Sequence, residues 1–469
     1  MSDEFNDAQD TYTIGKYRDR IVNGPIIRTL LWLGAPPLLN QLIVVAYNVA
    51  DAYLLSLYSE VTVAVPRQVW PIITLFQALI NALTAASLSI VSQYIGARNY
   101  REASLSASRF FTLAFFSGAI LNVVLLTVRG FIFTYIISTP SEIFEDVMKY
   151  SGVIAFDIFF NYISLTYTTL LQSLGDTRRP AIVNCIAIVV NTILDPFLVL
   201  GISPFPRLGV IGASLTDVIG KIISITALAY ITRRDYPDLR VAFTRDINVK
   251  WIALVLRIGL PVLTLGLMNG LAFLLQLKIV NMLGIIAATS YAIGFVIMDI
   301  VDAALWGLSG ATAIMVGQNL GADNVKRAKE VAYKSALLIA ALIALGACII
   351  YPIRSYLADV FADDLCIIAE TDLFLQTLVP TLPFFGLFAV ATSIGRGSGH
   401  TVFPTAIGIL RLWVIRIGLG YFLAFTLGMG SFGAWLAISL SNIVGGVISI
   451  LWIKYGRWAE AVIEKNHRM

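Results

Sequence analysis

The sequence predicts an all-α polytopic membrane protein of twelve transmembrane helices, arranged as two pseudo-symmetric six-helix lobes. Composition, the spacing of apolar runs and an internal duplication carry that prediction. Of 469 residues, 58% are hydrophobic and 13% charged, and the mean hydropathy is +0.81; a water-soluble domain carries about 25% charged residues. A helix needs roughly 20 apolar residues to cross a bilayer core. Such runs fall at 29–58, 69–95, 103–128, 147–173, 181–203 and 209–232, then at 251–282, 286–320, 329–357, 371–395, 403–427 and 430–454.

The stretch before the first run, 1–27, is polar and mixed in charge. It holds no short apolar core followed by a small-residue cleavage site, so it is expected to be a retained tail. Residues 28–235 form the first lobe and 251–455 the second, joined by a linker at 236–250. The connection from Arg233 to Lys250 is the most charged in the chain, and its Pro, Asp and Arg content suits a solvated loop. Residues 456–469 form a second tail. Only Arg67, Arg129, Lys149, Arg207 and Arg354 fall on loops of one side, while most of the other Lys and Arg residues fall on the tails and on loops of the other. The positive-inside rule then places both termini in the cytoplasm and the chain in the plasma membrane. The net charge of +4 sits in these loops and needs no nucleic-acid partner. Cys185, Cys348 and Cys366 are too scattered for a disulfide framework or a metal site and read as packing residues.

The two halves repeat. Gly34-x-Pro36 returns as Gly259-x-Pro261 and Gln93-x-x-Gly96-Ala97 as Gln318-x-x-Gly321-Ala322, both displaced by 225. Gly175-x-Thr177-x-x-Pro180 returns as Gly399-x-Thr401-x-x-Pro404, and Gly212-Ala213 as Gly433-Ala434. An even number of crossings separates the copies, so they run the same way through the bilayer about an axis along its normal. In secondary transporters with that symmetry the substrate site lies between the repeats.

These motifs, with the Gly175-Asp176-Thr177-x-x-Pro180 loop after the fourth span, resemble the multidrug and toxic compound extrusion transporters over 28–455. Asn191-x-x-x-Asp195-Pro196 and the lone Asp51 resemble the branch with carboxylates in the N-terminal lobe. The resemblance implies cation-coupled export of organic, usually cationic, compounds. Two positions depart from the pattern: the second loop reads Gly399-His400-Thr401, and Gln276 stands where symmetry would repeat Asp51. Any ion coupling is therefore expected in one lobe.

The polar residues inside spans support a site independently. Each charge at a helix centre costs about 2.5–3.5 kcal/mol on insertion scales, which marks it as functional or internally paired. Asp51 has no basic residue within reach on its own helix. Asn184, Asn191 and Asp195, spaced seven and four apart, form one polar stripe on the fifth span. Pro196 lacks an amide hydrogen, which frees a carbonyl beside Asp195; Pro36 and Pro37 mark a bend in the first span. Two nearby carboxyl groups titrate as a coupled pair, so a proton, or Na+ held by Asp51, Asn191 and Asp195, can compete with a positively charged substrate. Asp157, Asn161 and Tyr150 on the fourth span can extend the network. Asp217 and Lys221, four apart, read as a self-neutralised pair, and Ser214 as a donor toward the fifth span.

In the second lobe Lys278, Asp299, Asp302, Arg411 and Arg416 read mainly as cross-helix pairs. Asp299, Gln276 and Met268 are the substrate-cavity candidates there. The leading expectation is a secondary antiporter of small organic cations or amphipathic compounds, driven by H+ or Na+, working as a monomer without a cofactor. A lipid or lipid-linked oligosaccharide flippase is the rival from the same superfamily, and the acidic N-lobe stripe argues against it. A membrane enzyme is disfavoured, because Asp363-Asp364 has no second acidic motif and His400 and His467 have no evident metal partners.

Overall fold

Where the apolar runs end, polar caps take over and set the helix limits. Asn99 accepts a hydrogen bond from the Glu102 amide and Asn324 one from the Arg327 amide, N-caps of the usual kind. The residues before them, Arg98 and Asp323, have φ of 56° and 60°. The duplicated sequence thus builds the same turn twice, 225 residues apart.

The computed structural model describes residues 12–58 and 64–463; some side chains in the helices carrying residues 49–58 and 297–304, Asp299 among them, lie outside that description. Every regular element among the described residues is helical. The N-lobe helices are α1 (Ile26–Tyr58), α2 (Ala64–Gly96), α3 (Tyr100–Ile136), α4 (Ser141–Ser173), α5 (Arg178–Leu200) and α6 (Val210–Asp235). The C-lobe repeats them as α7 (Val249–Met282), α8 (Ile285–Gly321), α9 (Val325–Phe361), α10 (Leu365–Ser398), α11 (Val402–Thr426) and α12 (Gly430–Tyr455). Each contains or closely overlaps its apolar run. Most overrun it at polar ends, where a further turn still satisfies backbone groups.

Gly96 and Gly321 bring α2 and α8 together. A Cβ at Gly96 would lie 2.0 Å from the Gln318 carbonyl, and one at Gly321 1.9 Å from that of Gln93. The paired glutamines then reach across the pseudo-twofold axis. Gln93 Nε2 donates to the Gly397 and Ser398 carbonyls at 3.1 Å, satisfying the end of α10, and Gln318 Nε2 donates to the Ser173 carbonyl at 2.9 Å, satisfying the end of α4. Each lobe thus closes a helix terminus of the other.

The tail segments join at this same end. Residues 12–25, expected as part of a polar tail, form a turn and a short helix, Arg18–Asn23, with Ile14 and Ile21 buried. Arg18 Nε donates to the Gly96 carbonyl at 2.9 Å, and Arg327 donates to that of Gly24. At the other terminus Trp458 is buried, and the Val462 amide donates to Gln93 Oε1 at 2.8 Å.

The linker also differs from the solvated loop expected of it. Ser104, Ser108 and Thr112 line one face of α3 at four-residue spacing and accept from the amides of Arg240, Ala242 and Thr244. Arg109 pairs with Asp246 at 3.1 Å. A charged sequence is docked here because alternate amides of an extended segment meet successive helix turns.

Four clusters of buried residues hold the molecule. The two nearest the tails each draw on both lobes: α1 packs with α8, and the start of α7 packs with α2 and α3. The two at the far end each belong to one lobe, Val65 to Ala213 in one and Val280 to Ile438 in the other. The lobes are therefore fastened at the tail end and separately packed at the opposite end.

Candidate functional site

The fifth span carries its polar stripe as expected, and α6 supplies what it faces. α5 remains one helix through Pro196, with Asp195 inside it, and α1 one helix through Pro36 and Pro37. Asp195 carries the stripe to its far end. It is fully buried, and its Oδ1 accepts from the Thr216 hydroxyl at 2.5 Å. Asn191, 7% exposed, donates through Nδ2 to Asp217 Oδ1 at 3.3 Å. Its side chain lies where Gly220 leaves room, since a Cβ there would sit 2.4 Å from Asn191 Oδ1. From α1, the Tyr47 hydroxyl donates to Asp217 Oδ1 at 3.2 Å.

Four carboxyl groups are close enough to interact: Asp217 feels the charges of Asp157, Asp51 and Asp195, and Asp195 that of Asp51. Tyr150 is buried beside three of them, Asp217, Asp51 and Asp157. The cluster lies in the half of the lobe remote from the tails. Among the described residues, Asp51 Oδ1, Asp157 Oδ1, Asn191 Oδ1 and Asp195 Oδ2 are buried without a hydrogen-bond partner. Buried acceptors in that condition cost free energy until a proton, cation or water meets them. Chemically, the site is an acceptor-rich pocket for positive charge.

Two of the expected members stand apart. Asn184 accepts from Ser224 at 3.4 Å, two turns nearer the tails, and Asn161 donates to Gln77 on α2 at 3.4 Å. The structure extends one reading of α6 and corrects another. Asp217 accepts from Tyr47 and Asn191, and the charge of Lys221 acts on Asp217 and also on Asp157 of α4, so the expected neutralising partner is shared between two carboxyl groups. Ser214 returns its hydroxyl to the carbonyls of its own helix, Val210 and Ile211, and Thr216 is the residue that reaches α5. Sequence reading missed Tyr47 and Thr216. The spacing of Tyr47 four residues before Asp51 was the available clue; Thr216, two residues from Ser214, lies about 200° away around the helix.

The C-lobe holds a different arrangement. A cavity of about 250 Å³ between α7, α8, α10 and α11 is lined by Asn269, Asp302, Trp306, Arg396, Arg411 and Arg416 among others. The expected cross-helix pairing is met in part, since the charge of Asp302 acts on both Arg411 and Arg416. Lys278 is exposed on the surface, and Arg411 Nη2 donates to the amide oxygen of Asn442 at 3.1 Å. Gln276 is buried, neither it nor Met268 lines this cavity, and the side chain of Asp299 lies outside the described residues.

Known proteins share this plan over nearly their whole length. The chain is 23% identical over 450 residues to a probable multidrug resistance protein NorM of Thermotoga maritima, covering 95% of this chain and 96% of that one. It is 23% identical over 445 residues to a FAD transporter of Shewanella oneidensis, covering 92% and 95%. The Vibrio cholerae MATE transporter VcmN, in a bent form, has the same fold with a TM-score of 0.85 at 18% identity, covering 92% of this chain and 97% of that chain. The MatE family model matches twice, at 36–197 and 262–422, once in each half of the duplication, and the chain belongs to the MatE family of membrane transporters.

Proposed function

We propose that the protein is a multidrug-type exporter that moves organic compounds across the plasma membrane by cation-coupled antiport, with both termini in the cytoplasm. The observation that carries this reading is the set of unpartnered acceptors on Asp51, Asp157, Asn191 and Asp195. A proton entering from the end remote from the tails neutralises the pocket. Loss of that proton restores its hold on a positive group. One site that cannot hold both partners exchanges one for the other as the lobes rock about it. Organic cations are the substrates these carboxylates would draw. The names of relatives, a multidrug resistance protein and a FAD transporter, support an exporter of organic compounds and leave its substrate class open.

We favour the proton over Na+ as coupling ion. A Na+ shell takes several oxygens converging at short range, and Asp51, Asn191 and Asp195 leave one open oxygen each. A proton needs only one open oxygen.

The test is purified protein in liposomes, with export of a fluorescent organic cation followed under an imposed pH or sodium gradient. Asp51→Asn and Asp195→Asn are each expected to reduce proton-driven export at least tenfold. Wild-type rates in both variants would remove the N-lobe from the coupling mechanism. A flippase reading draws on the C-lobe arginines, and lipid scrambling in the same vesicles separates it from export.

A further inference from the structure

The N-lobe pocket accounts for a counter-ion and leaves the C-lobe cavity unexplained. Three arginines line that cavity, and Asp302 is the one acidic residue among the lining residues. Guanidinium stays charged at any physiological pH. Asp302 acts on both Arg411 and Arg416, so among the described side chains one carboxylate serves two buried cations, with Arg396 a third.

The arginines are held by other means. Arg411, 5% exposed, lies over the rings of Phe385 and Phe388, at 4.6 Å from each centroid, and its stem is packed against Gly445. Arg396 lies over Trp306 at 5.8 Å. Among the described residues, the Nε atoms of Arg396, Arg411 and Arg416 are buried and without a hydrogen-bond partner. Three strong donors thus remain open around a cavity whose walls also carry aromatic rings. Forked donors of this kind match the oxygens of phosphate or carboxylate, and an aromatic body suits the surrounding rings.

We propose that this cavity is the subsite for the anionic group, a phosphate or carboxylate, of an aromatic substrate. The inference rests on the reading of the chain as an exporter of organic compounds and assigns its two lobes opposite roles. The N-lobe carboxylates exchange a proton for the substrate's positive group, and the C-lobe holds the substrate's negative end. An organic cation placed among the arginines would meet like charge.

The experiment measures equilibrium binding to the full chain in nanodiscs, with no gradient, using the fluorescence of riboflavin 5′-phosphate and of riboflavin. The two probes differ only in the phosphate. The phosphate ester is expected to bind at least tenfold more tightly, and Arg411→Gln or Arg416→Gln to erase that difference. Asp302→Asn is expected to tighten phosphate-ester binding several-fold, a gain that a misfolded variant cannot produce. Equal binding of the two probes, an undiminished preference in both arginine variants, or weaker binding in Asp302→Asn overturns the proposal. Displacement of the probe in phosphatidylglycerol discs, absent in phosphatidylcholine discs, supports the same anion site with a lipid headgroup as its source. Displacement by inorganic phosphate supports a free-phosphate source. Asp195→Asn is expected to keep the preference while losing proton-driven export, so failure of coupling and failure of the subsite read out separately.

Discussion

The stripe on α5 depends on a position with no side chain. Gly220 on α6 gives Asn191 its place, and any Cβ there would fall 2.4 Å from the carboxamide oxygen. Gly220→Ala is expected to favour the helix in isolation yet displace Asn191 from Asp217. We expect export to fall at least tenfold while expression is unchanged, measured as initial rate per folded protein. Retained rates would show that the Asn191–Asp217 bond is dispensable. The stripe of Asn184, Asn191 and Asp195 was legible as a helical period in the sequence. Its partners were not, because Thr216, Gly220 and Tyr47 come to it from two other helices, and no spacing along one chain segment records which helix will be its neighbour.

The helix ends, more than the helix bodies, fasten the lobes. Gln93 is fully buried, with its amide nitrogen satisfying two carbonyls of α10 and its oxygen accepting from Val462. Gln93→Ala leaves the Ser398 carbonyl and the Val462 amide without that partner, while the Gly397 carbonyl keeps Ser89 Oγ at 3.3 Å, which costs about 1–3 kcal/mol for each buried group left unpaired. That loss falls only on the form closed at the tail end. We expect the equilibrium to shift toward opening there, seen as at least fivefold faster maleimide labelling of Ser398→Cys in the Gln93→Ala background. Unchanged labelling would mean the latch lies elsewhere. The duplicated Gln-x-x-Gly-Ala motif was visible in the sequence as a repeat; that each copy serves the other lobe emerges only when α2 and α8 cross at glycine.

Across the whole molecule, the buried clusters imply a cleft open away from the tails. The proposed topology puts that opening outside the cell. Cys366, exposed just past Asp363 and Asp364 at the start of α10, provides a native reporter. An impermeant maleimide is expected to label it in intact cells, and Cys366→Ser to abolish that signal. A cysteine in place of Ser104, beside the linker, should react only after the membrane is broken. The opposite pattern would invert the orientation drawn from the Lys and Arg distribution.

Sequence alone determined the all-helical spans, the duplication and the polar stripe on the fifth span, because each is written in a local property: hydropathy over about 20 residues, a repeated motif, or a helical period. Tertiary structure decided the rest. Arg411 and Arg416 would project about 140° apart on a regular α-helix, which is why they read as separate residues awaiting separate partners. Over Leu410–Leu419 the chain widens to π pitch, whose hydrogen-bond step is five residues, and both guanidinium groups enter one cavity. A change of helical pitch leaves no mark in hydropathy or spacing, yet it sets whether two charges are neutralised apart or act together.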